Sequence, residues 1–350
     1  MSTQTKLNIF ITGATGYIGG SVLSRLLIHP SFTSGSFQIS ALVRTAEKGE
    51  KLKGLGVRPV VGSYDDLDVL EREAGDADVV FSLADADALP GAKAILEGLK
   101  KRYERTGRVS KLIHTSGAAF VMDDARGLHG DHLIYSDLRD ADAINALPDN
   151  KFHRHVDVPI IKADEEGYLR SYIIAPGNIF GTPSGPLVDL GIQNLHSILI
   201  PIFFKVGIAR KQGGYIGLGK NVSPAADVED TADLYLILFN ALLANPSSLA
   251  HGREGIYFVE NAEYTGYELA KATSDALVEL GIGATREATA FTNDELELYF
   301  GKNWSFFSSN VRPRADRARA LGWRPVKGKE ALLASSFCDF AVPEMVYEYF

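Results

Sequence analysis

The sequence has a single cysteine, Cys338, and no long hydrophobic run. One thiol cannot form an intrachain disulfide, and a chain without disulfides is typical of a reducing compartment. The longest apolar stretch, Ile198 to Phe204, is interrupted by Pro201 and is far shorter than the ~20 residues that span a membrane. The first residues, MSTQTKLNIF, lack a charged segment followed by an apolar one, so no secretory signal is expected. These absences predict a cytoplasmic protein that is not inserted in a membrane.

Positive charge is also scarce in this chain. The 36 lysines and arginines are outnumbered by 44 aspartates and glutamates, which gives a formal net charge of −8. An acidic balance argues against nucleic acid or an anionic membrane as the main partner. With 350 residues, of which 45% are hydrophobic, the chain has the composition of a globular protein with a large core.

Short apolar segments alternate with amphipathic segments through the first half of the chain. The apolar segments predict strands at Leu7–Thr12, Phe37–Val43, Arg58–Val61, Ala77–Leu83, Lys111–Thr115 and Arg170–Ala175. The amphipathic segments predict helices at Tyr17–Ile28, Gly91–Arg105 and near Pro159–Glu166. Strands that alternate with helices form parallel βαβ units. The pattern predicts an α/β fold with a doubly wound parallel sheet of the Rossmann type.

The pattern changes after about residue 182. Longer helical segments follow, such as Val228–Leu243 and Thr265–Leu280. We expect a Rossmann domain over residues 1–182 and a smaller, mainly helical substrate lobe over residues 183–350. No linker separates the two parts, so the lobe is expected to be partly interleaved with the sheet.

A glycine-rich loop lies between the first predicted strand and the first predicted helix. In TGATGYIGG, Gly13, Gly16 and Gly19 are spaced three residues apart. In dinucleotide-binding loops, the first glycine permits a tight turn and the second lets the backbone approach the pyrophosphate, while the third allows close helix packing. The amino end of the helix adds N–H groups and partial positive charge. The loop predicts dinucleotide binding, and a tight turn without a ligand is the alternative.

This loop resembles the first turn of the short-chain dehydrogenase/reductase superfamily. ADVVFSLA resembles the fourth strand of these proteins, KLIHTSG the strand that carries their catalytic serine, and APGNIFG the segment that contacts the nicotinamide. VEDTADLY and ALGWRP resemble C-terminal features of the extended, epimerase/dehydratase-like branch. The resemblance implies cofactor contacts at Gly13, Thr15, Gly16, Tyr17, Ile18, Gly19, Leu83, Ala84, Thr115, Pro176, Asn178 and Ile179.

The second predicted strand indicates which dinucleotide is bound. An NAD enzyme usually ends this strand with an acid that binds the ribose hydroxyls, but here the strand ends in Ala-Leu-Val followed by Arg44. A guanidinium can pair with a 2′-phosphate, and Lys48 and Lys51 lie just beyond it. We therefore predict NADP rather than NAD, with a solvated Arg44 as the alternative. The resemblance also places Asp65 or Asp66 near the adenine, although both suit a simple turn.

The Ser–Tyr–Lys trio of the superfamily is not found where the resemblance places it. In that trio the tyrosine exchanges a proton with the reacting oxygen, the lysine four residues later assists it, and the serine orients the carbonyl. Tyr267 and Lys271 have the required spacing but lie far beyond the last predicted strand, where surface helix residues are expected. Tyr135 is followed four residues later by Arg139.

Counting back from PGNIFG puts the tyrosine and lysine positions near His153 and Asp157, and the serine position near Gly117. Another group must then handle the proton. We name Ser116, Thr115 and His153 as the catalytic candidates, the last because imidazole exchanges protons near neutral pH.

Three further polar residues have two interpretations each. Asp157 either orients His153 from one helical turn away or caps a helix that begins near Pro159, and we favour the cap. His114, on a strand predicted to be buried, is expected to be a core histidine. Lys162 is expected to be solvated. A role in the site is the alternative for the last two.

The apolar segment 187–208 lies where the resembling proteins cover their substrate. This implies a small hydrophobic substrate, and ordinary core packing or a homodimer interface is the alternative. Arg312 is a candidate for binding a polar substrate group, although arginines are mostly exposed. The eight histidines form no His-Glu-x-x-His motif and there is one cysteine, so no metal site is predicted.

Three functions remain open at this point. The first is an NADP(H)-dependent oxidoreductase acting on a small carbonyl or alcohol. The second is a redox-neutral isomerase, epimerase or cyclase that keeps the cofactor pocket, which the altered trio favours. The third is a protein that senses NADP(H) without turnover. Fold alone does not decide among them.

Overall fold

The protein is described by a computed structural model that covers residues 6–245, 247 and 249–338, with side chains as far as residue 334. The first five residues of the amino-terminal segment lie outside the described residues. Cys338 ends the last helix, and its thiol lies outside the described side chains.

Strands and helices alternate through the first half of the chain and become less regular after it. The strands are β1 (Leu7–Thr12), β2 (Phe37–Val43), β3 (Arg58–Val61), β4 (Val79–Ser82), β5 (Ser110–Thr115), β6 (Tyr135–Ser136), β7 (Leu169–Pro176), β8 (Asn178–Phe180), β9 (Gly214–Tyr215), β10 (Val222–Asp227), β11 (Ile256–Val259), β12 (Ala262–Thr265), β13 (Thr289–Ala290) and β14 (Pro313–Arg314). The helices are α1 (Tyr17–Leu27), α2 (Pro30–Thr33), α3 (Ala46–Gly54), α4 (Leu67–Asp76), α5 (Leu89–Thr106), α6 (Ala141–Asn145), α7 (Arg154–Glu165), α8 (Pro186–Asp189), α9 (Leu199–Arg210), α10 (Val228–Ala244), α11 (Gly266–Glu279), α12 (Asn293–Phe300), α13 (Asp316–Ala320) and α14 (Lys329–Cys338).

A seven-stranded sheet in the order β11-β7-β5-β4-β1-β2-β3 forms the centre of the fold. All its strand pairs are parallel. β4 is buried at every residue and β1 at its last four, because helices cover both faces of such a sheet and its strands are almost continuously apolar. The six predicted strands all occur in this sheet, and the predicted doubly wound Rossmann fold is confirmed.

The strand order reverses at β1, which lies between β2 on one side and β4 on the other. In open α/β sheets, the loops that leave such a switch point open a crevice at the carboxyl ends of the strands. Thr12 ends β1, and its Oγ1 accepts the N–H of Leu83, just after β4, at 3.1 Å. This bond ties together the two loops that flank the crevice.

Residues after 182 contribute to the central sheet and also form a smaller one. β11 extends the sheet beside β7. α10 packs against α1, where Arg25 Nε donates to Asp233 Oδ1 at 2.5 Å. β8, β10 and β12 form a separate three-stranded sheet. This second sheet packs on its own apolar cluster, which includes Phe180, Ile200, Phe204, Tyr264 and Leu277.

Helix α7 begins earlier than the sequence predicts. We expected its start near Pro159, but it starts at Arg154 and holds Pro159 in its interior. The carbonyl of His153 accepts the N–H groups of Val156 at 2.9 Å and Asp157 at 3.0 Å, so the first turn is complete without the proline. Pro159 cannot donate a hydrogen bond to the carbonyl of His155, and its ring crowds that carbonyl, yet the helix continues through it.

None of the helices in the described part of the chain combines the length and the apolar composition that crossing a bilayer requires.

Candidate active site

The glycine loop at the end of β1 is built by close backbone approaches. Gly13 has a φ of +68°, and a Cβ added there would lie 2.4 Å from the carbonyl oxygen of Leu83. A Cβ on Gly19 would lie 2.1 Å from the carbonyl oxygen of Gly13. Neither distance is compatible with a side chain. The two outer glycines therefore bring β1, α1 and the loop after β4 into contact.

Gly16, the middle glycine, faces open space. Apart from the carbonyl of Gly13, no atom from elsewhere in the described chain lies within 4 Å of its Cβ position. Gly16 is also the N-cap of α1, without a side-chain cap, and the first turn carries no acid. The amino end of α1 thus keeps its partial positive charge for an anion. Thr15, beside it, accepts the N–H of Asn194 through its carbonyl oxygen at 2.9 Å.

The end of β2 presents a cation without a protein partner. Arg44 is exposed, and the described residues offer its guanidinium no hydrogen bond or ion pair. Thr45, next to it, caps α3 by accepting the N–H of Lys48 at 3.3 Å. Lys51 is engaged, since its Nζ donates to the carbonyl of Leu190 at 3.2 Å. Among the three predicted phosphate-binding cations, Arg44 is the most clearly available.

The two aspartates after β3 build a turn. Asp66 Oδ2 accepts the N–H of Ser63 at 2.6 Å, and the N–H of Asp65 donates to Ser63 Oγ at 3.1 Å. Asp66 therefore plays the structural role that the sequence left open. The Asp65 carboxylate is exposed.

The hydroxyl groups of two catalytic candidates are bonded to other protein side chains. Thr115 Oγ1, at the end of β5, lies 2.6 Å from Tyr235 Oη. Ser116 Oγ donates to Asp157 Oδ2 at 2.8 Å, and Ser116 and Asp157 are both buried. Ser116 commits its one hydroxyl proton to Asp157, so it can accept a hydrogen bond from a substrate but cannot donate one while this contact lasts.

The third candidate, His153, occupies the space next to Gly117. A Cβ on Gly117 would lie 2.6 Å from His153 Nε2. The imidazole therefore fills the volume that a serine side chain would need at position 117. Sequence counting assigned these two positions to the serine and tyrosine of the trio, and the structure brings them into contact.

The loop after β4 holds the other side of this imidazole. His153 Nδ1 lies 2.9 Å from Asp87 Oδ1, and His155 Nε2 lies 3.0 Å from the carbonyl oxygen of Asp87. Sequence reasoning missed Asp87. A signal was available, because Asp85-Ala86-Asp87 follows a predicted strand of the sheet at its carboxyl end.

Asp157 does not cap a helix, contrary to our favoured interpretation. It lies inside the first turn of α7, and the hydrogen bond recorded for its carboxylate comes from Ser116 rather than from a backbone N–H. Asp157 Oδ1 is 3.9 Å from His114 Nε2, and both atoms are buried without a hydrogen-bond partner among the described residues. The helix begins too early for residue 157 to be its cap.

Burial acts in opposite directions on the two groups of this pair. It raises the pKa of Asp157 to about 7, although the hydrogen bond from Ser116 opposes the shift. It lowers the pKa of His114 to about 3, with the charge of nearby His153 adding to the effect. His114 is a core histidine, as expected, with Nδ1 3.3 Å from Ser82 Oγ.

The remaining candidates have protein partners or lie at the surface. Arg312 forks onto Glu263 with two contacts of 3.0 Å, so its proposed role on a substrate is not supported. Lys271 pairs with Asp275 on α11 at 2.6 Å, as expected of a surface helix, and Lys162 is exposed. Asn178 Nδ2, on β8, donates to Tyr264 Oη at 2.6 Å.

No group of three or more His, Cys, Asp or Glu side chains in the described residues is arranged to hold a metal ion.

Comparison with known proteins identifies the family. The NmrA-like family matches residues 5–100. The oxidase ucsJ of an Acremonium species is 30% identical over 335 residues, which cover 91% of this chain and 92% of that protein. The chain belongs to the extended short-chain dehydrogenase/reductase superfamily.

Two other proteins are similar to this chain, one over about a third of its length and one over nearly all of it. A 4-hydroxy-2-methyl-3-oxo-4-farnesyl-3,4-dihydroquinoline-1-oxide ketoreductase of Stigmatella aurantiaca is 27% identical over 127 residues, which cover 33% of this chain and 35% of that protein. The crystal structure of a dTDP-glucose 4,6-dehydratase from Bacillus anthracis, in complex with NAD, superposes with a TM-score of 0.61 at 16% identity. This match covers 95% of this chain and 96% of that one, and it shows a common fold.

Gly19→Ala tests the close packing of the glycine loop. We expect a loss of roughly 1–3 kcal/mol of unfolding free energy, because the added methyl would lie 2.1 Å from the Gly13 carbonyl oxygen. Urea denaturation measures the loss. Gly54→Ala is the matched control, since a Cβ there meets nothing within 4 Å, and it should be neutral or slightly stabilising. Equal stability of the two variants would contradict the packing.

Asp157→Asn tests the buried pair through the pH dependence of stability. The folded-state pKa of about 7 lies above the ordinary value of 3.8 for an aspartate, so the folded state binds the proton more tightly than the unfolded state. The contribution of Asp157 is therefore fully present below about pH 4 and is lost as the pH rises through 7. We expect the difference in unfolding free energy between Asp157→Asn and the wild type to change by a few kcal/mol across this window.

Taking the difference between variant and wild type removes the contribution of Asp137, whose pKa burial also raises to about 7. Asp294→Asn, at an exposed position on α12, is the control and should give a nearly flat difference. A flat difference for Asp157→Asn itself would show that the carboxyl is not held in its protonated form.

Proposed function

We propose that this protein is an NADP(H)-dependent oxidoreductase acting on a small, hydrophobic carbonyl or alcohol substrate. Membership of the superfamily supports an oxidoreductase in general terms, as do the names of two relatives, an oxidase and a ketoreductase. The observation that carries the choice of cofactor is the unpaired Arg44 after β2, where an NAD enzyme usually has an acid.

The residues at the carboxyl edge of the sheet fit a dinucleotide. The open face of Gly16 leaves the backbone accessible to a pyrophosphate, and the amino end of α1 attracts its charge. Arg44 would bind the 2′-phosphate through its fork of N–H groups, and Asp65 is exposed on the same side of the sheet, after β3. When bound, the nicotinamide supplies or accepts a hydride.

The remaining proposed cofactor contacts follow the carboxyl ends of the strands. They are Gly13, Thr15, Tyr17, Ile18 and Gly19 around the glycine loop, Leu83 and Ala84 after β4, Thr115 on β5, and Pro176, Asn178 and Ile179 on β7 and β8.

Aromatic side chains next to His153 support a hydrophobic substrate. Phe152 keeps 48% of its surface exposed although it is large and apolar. Its ring lies 6.2 Å from that of His153 and 4.9 Å from that of Phe306, and Phe306 contacts Phe307 at 5.4 Å. Apolar walls of this kind favour apolar ligands. The farnesyl group in the name of the Stigmatella ketoreductase's substrate agrees with this preference.

The apolar segment 187–208 divides between two places. Its first part packs on the glycine-loop helix, where Gln193 Nε2 donates to the carbonyl of Tyr17 at 3.1 Å. Its second part is α9, where Phe203 stacks near Phe300 with ring centroids 5.6 Å apart. We propose that the first part supports the cofactor loop and the second the substrate lobe. The lobe, residues 183–350, also contributes β11 and α10 to the Rossmann domain, residues 1–182.

A redox-neutral isomerase, epimerase or cyclase is the second candidate function. The observation that favours it is the replacement of the trio, with Gly117, His153 and Asp157 at the assigned positions. Such an enzyme would convert its substrate without net consumption of NADPH. A sensor would bind NADPH without converting any substrate.

Arg44→Asp tests the choice of cofactor. Hydrogen bonds to charged groups contribute about 1.5–3 kcal/mol, so we expect NADPH to bind roughly 10–100-fold more weakly to the variant. NADH, which lacks the 2′-phosphate, should bind with nearly unchanged affinity. Fluorescence titration of both nucleotides measures the dissociation constants.

Arg105→Asp is the matched charge reversal, at the end of α5 beside Asp76. It should leave both affinities unchanged. Failure of the wild type to bind either nucleotide at millimolar concentration would overturn the proposed function. Equal losses for NADPH and NADH in Arg44→Asp would overturn the assignment of NADP.

A further inference from the structure

The imidazole of His153 is the partly exposed side chain among the groups next to Gly117. Thr115 and Ser116 are bonded to Tyr235 and Asp157. Asp157 is itself only 1% exposed, so a ligand does not reach it. His153 keeps 17% of its side chain exposed. Its Nδ1 is paired with Asp87, whereas its Nε2 has no hydrogen-bond partner among the described residues, so a ligand could bond to Nε2 without displacing a protein side chain.

The backbone holds this imidazole in an unusual way. His153 is the N-cap of α7 and has a φ of +64°, a left-handed conformation that costs a non-glycine residue energy. Its ring lies between two elements. Nε2 faces Gly117 after β5, and Nδ1 is 2.9 Å from Asp87 Oδ1 after β4. The conformation persists because both neighbours define the position of the ring.

Asp87 selects one tautomer of the ring. A carboxylate accepts hydrogen bonds and does not donate them, so Nδ1 of His153 must carry a proton. Nε2 is then the nitrogen that gains or loses a proton, and it occupies the volume that a side chain at position 117 would need. His155 steadies the arrangement from the other side, through the Asp87 carbonyl at 3.0 Å.

We propose that His153 is the catalytic acid and base of this enzyme and that Asp87 is its positioning residue. The proposal rests on the proposed function. In the reductive direction the cofactor would supply a hydride as a C–H bond of its dihydronicotinamide breaks and would be left oxidised, a C–H bond would form at the carbonyl carbon, and the C=O π pair would move to the oxygen. Nε2–H of the imidazolium gives its proton to that oxygen, which leaves neutral imidazole with its Nδ1–H on Asp87. Oxidation reverses each step.

The glycine at position 117 belongs to the same arrangement. A side chain there would displace the imidazole, because its Cβ would lie 2.6 Å from Nε2. A glycine at position 117 and a histidine at position 153 are therefore sterically compatible, whereas a serine at position 117 would collide with the imidazole. Phe152, next to His153 in the chain, brings the apolar wall to the same point, so a hydrophobic carbonyl compound bound on that wall would present its oxygen to Nε2.

Imidazole NMR tests the arrangement without any substrate. Long-range ¹H–¹⁵N spectra distinguish the two neutral tautomers of each histidine, and His153→Ala identifies the signals of His153 among the eight histidines. We expect the Nδ1–H tautomer in the wild type and a mixed or inverted tautomer in Asp87→Asn. Addition of NADPH should shift the His153 signals. An unchanged tautomer in Asp87→Asn would overturn the role of Asp87.

Turnover tests the proton transfer. The probe is NADPH oxidation with 9,10-phenanthrenequinone, an apolar diketone. We expect His153→Ala to lower kcat by roughly 10²–10⁴-fold without weakening NADPH binding, and free imidazole to restore part of the rate. Asp87→Asn should lower kcat without rescue by imidazole. His29→Ala, which removes an imidazole packed on Phe37 at the amino end of β2, is the matched control and should stay within about threefold of the wild type.

Gly117→Ala supplies an independent variant in which His153 and Asp87, the proposed dyad, are both unsubstituted. Its methyl should displace the imidazole, reproduce the kcat loss of His153→Ala and leave the NADPH dissociation constant unchanged. Turnover that survives His153→Ala would overturn the dyad while leaving the proposed function intact. Absence of NADPH binding to the wild type would instead overturn the proposed function, and the dyad with it.

Discussion

The close approach of three backbone segments at the carboxyl edge of the sheet determines the geometry of the rest of the site. Gly13, Gly19 and Leu83 lie so near one another that no side chain fits between them. The hydrogen bond from the N–H of Leu83 to Thr12 Oγ1 stabilises the same contact. This packing sets the position of α1 and of the loop after β4. The first is the proposed phosphate site, and the second carries Asp87.

The proposed chemistry of the site depends on neighbouring side chains that are sterically compatible. A glycine at position 117 leaves space for the imidazole of His153, and the hydroxyl of Ser116 donates a hydrogen bond to Asp157. A lysine at position 157 would place a charge in a buried space, whereas a carboxyl whose pKa is raised to about 7 can remain there in its protonated form. These residues form a packed arrangement with defined partners, which supports the proposal of a different proton donor over a decayed site.

Sequence patterns predicted the sheet well and the helix α7 poorly. The strands of a parallel sheet are buried on both faces, so each one appears as a continuous apolar run. The start of α7 was predicted from Pro159 and Asp157, because proline in the first turn and aspartate at the N-cap usually mark where a helix begins. In the structure the backbone of His153 closes the first turn by itself. The pairing of Arg312, a candidate for binding a substrate group, could not be read from the sequence, because its partner Glu263 lies on a strand 49 residues away in the chain.

The sequence by itself determined the Rossmann fold, the glycine loop and the position of Arg44, because each depends on residues that are neighbours in the chain or on a short repeat of apolar and polar residues. The tertiary structure alone decided which candidates have partners. His153 meets Asp87 across 66 residues, and Ser116 meets Asp157 across 41. Such contacts arise where separate strands end at one edge of the sheet, and spacing along the chain carries no record of which side chains meet there.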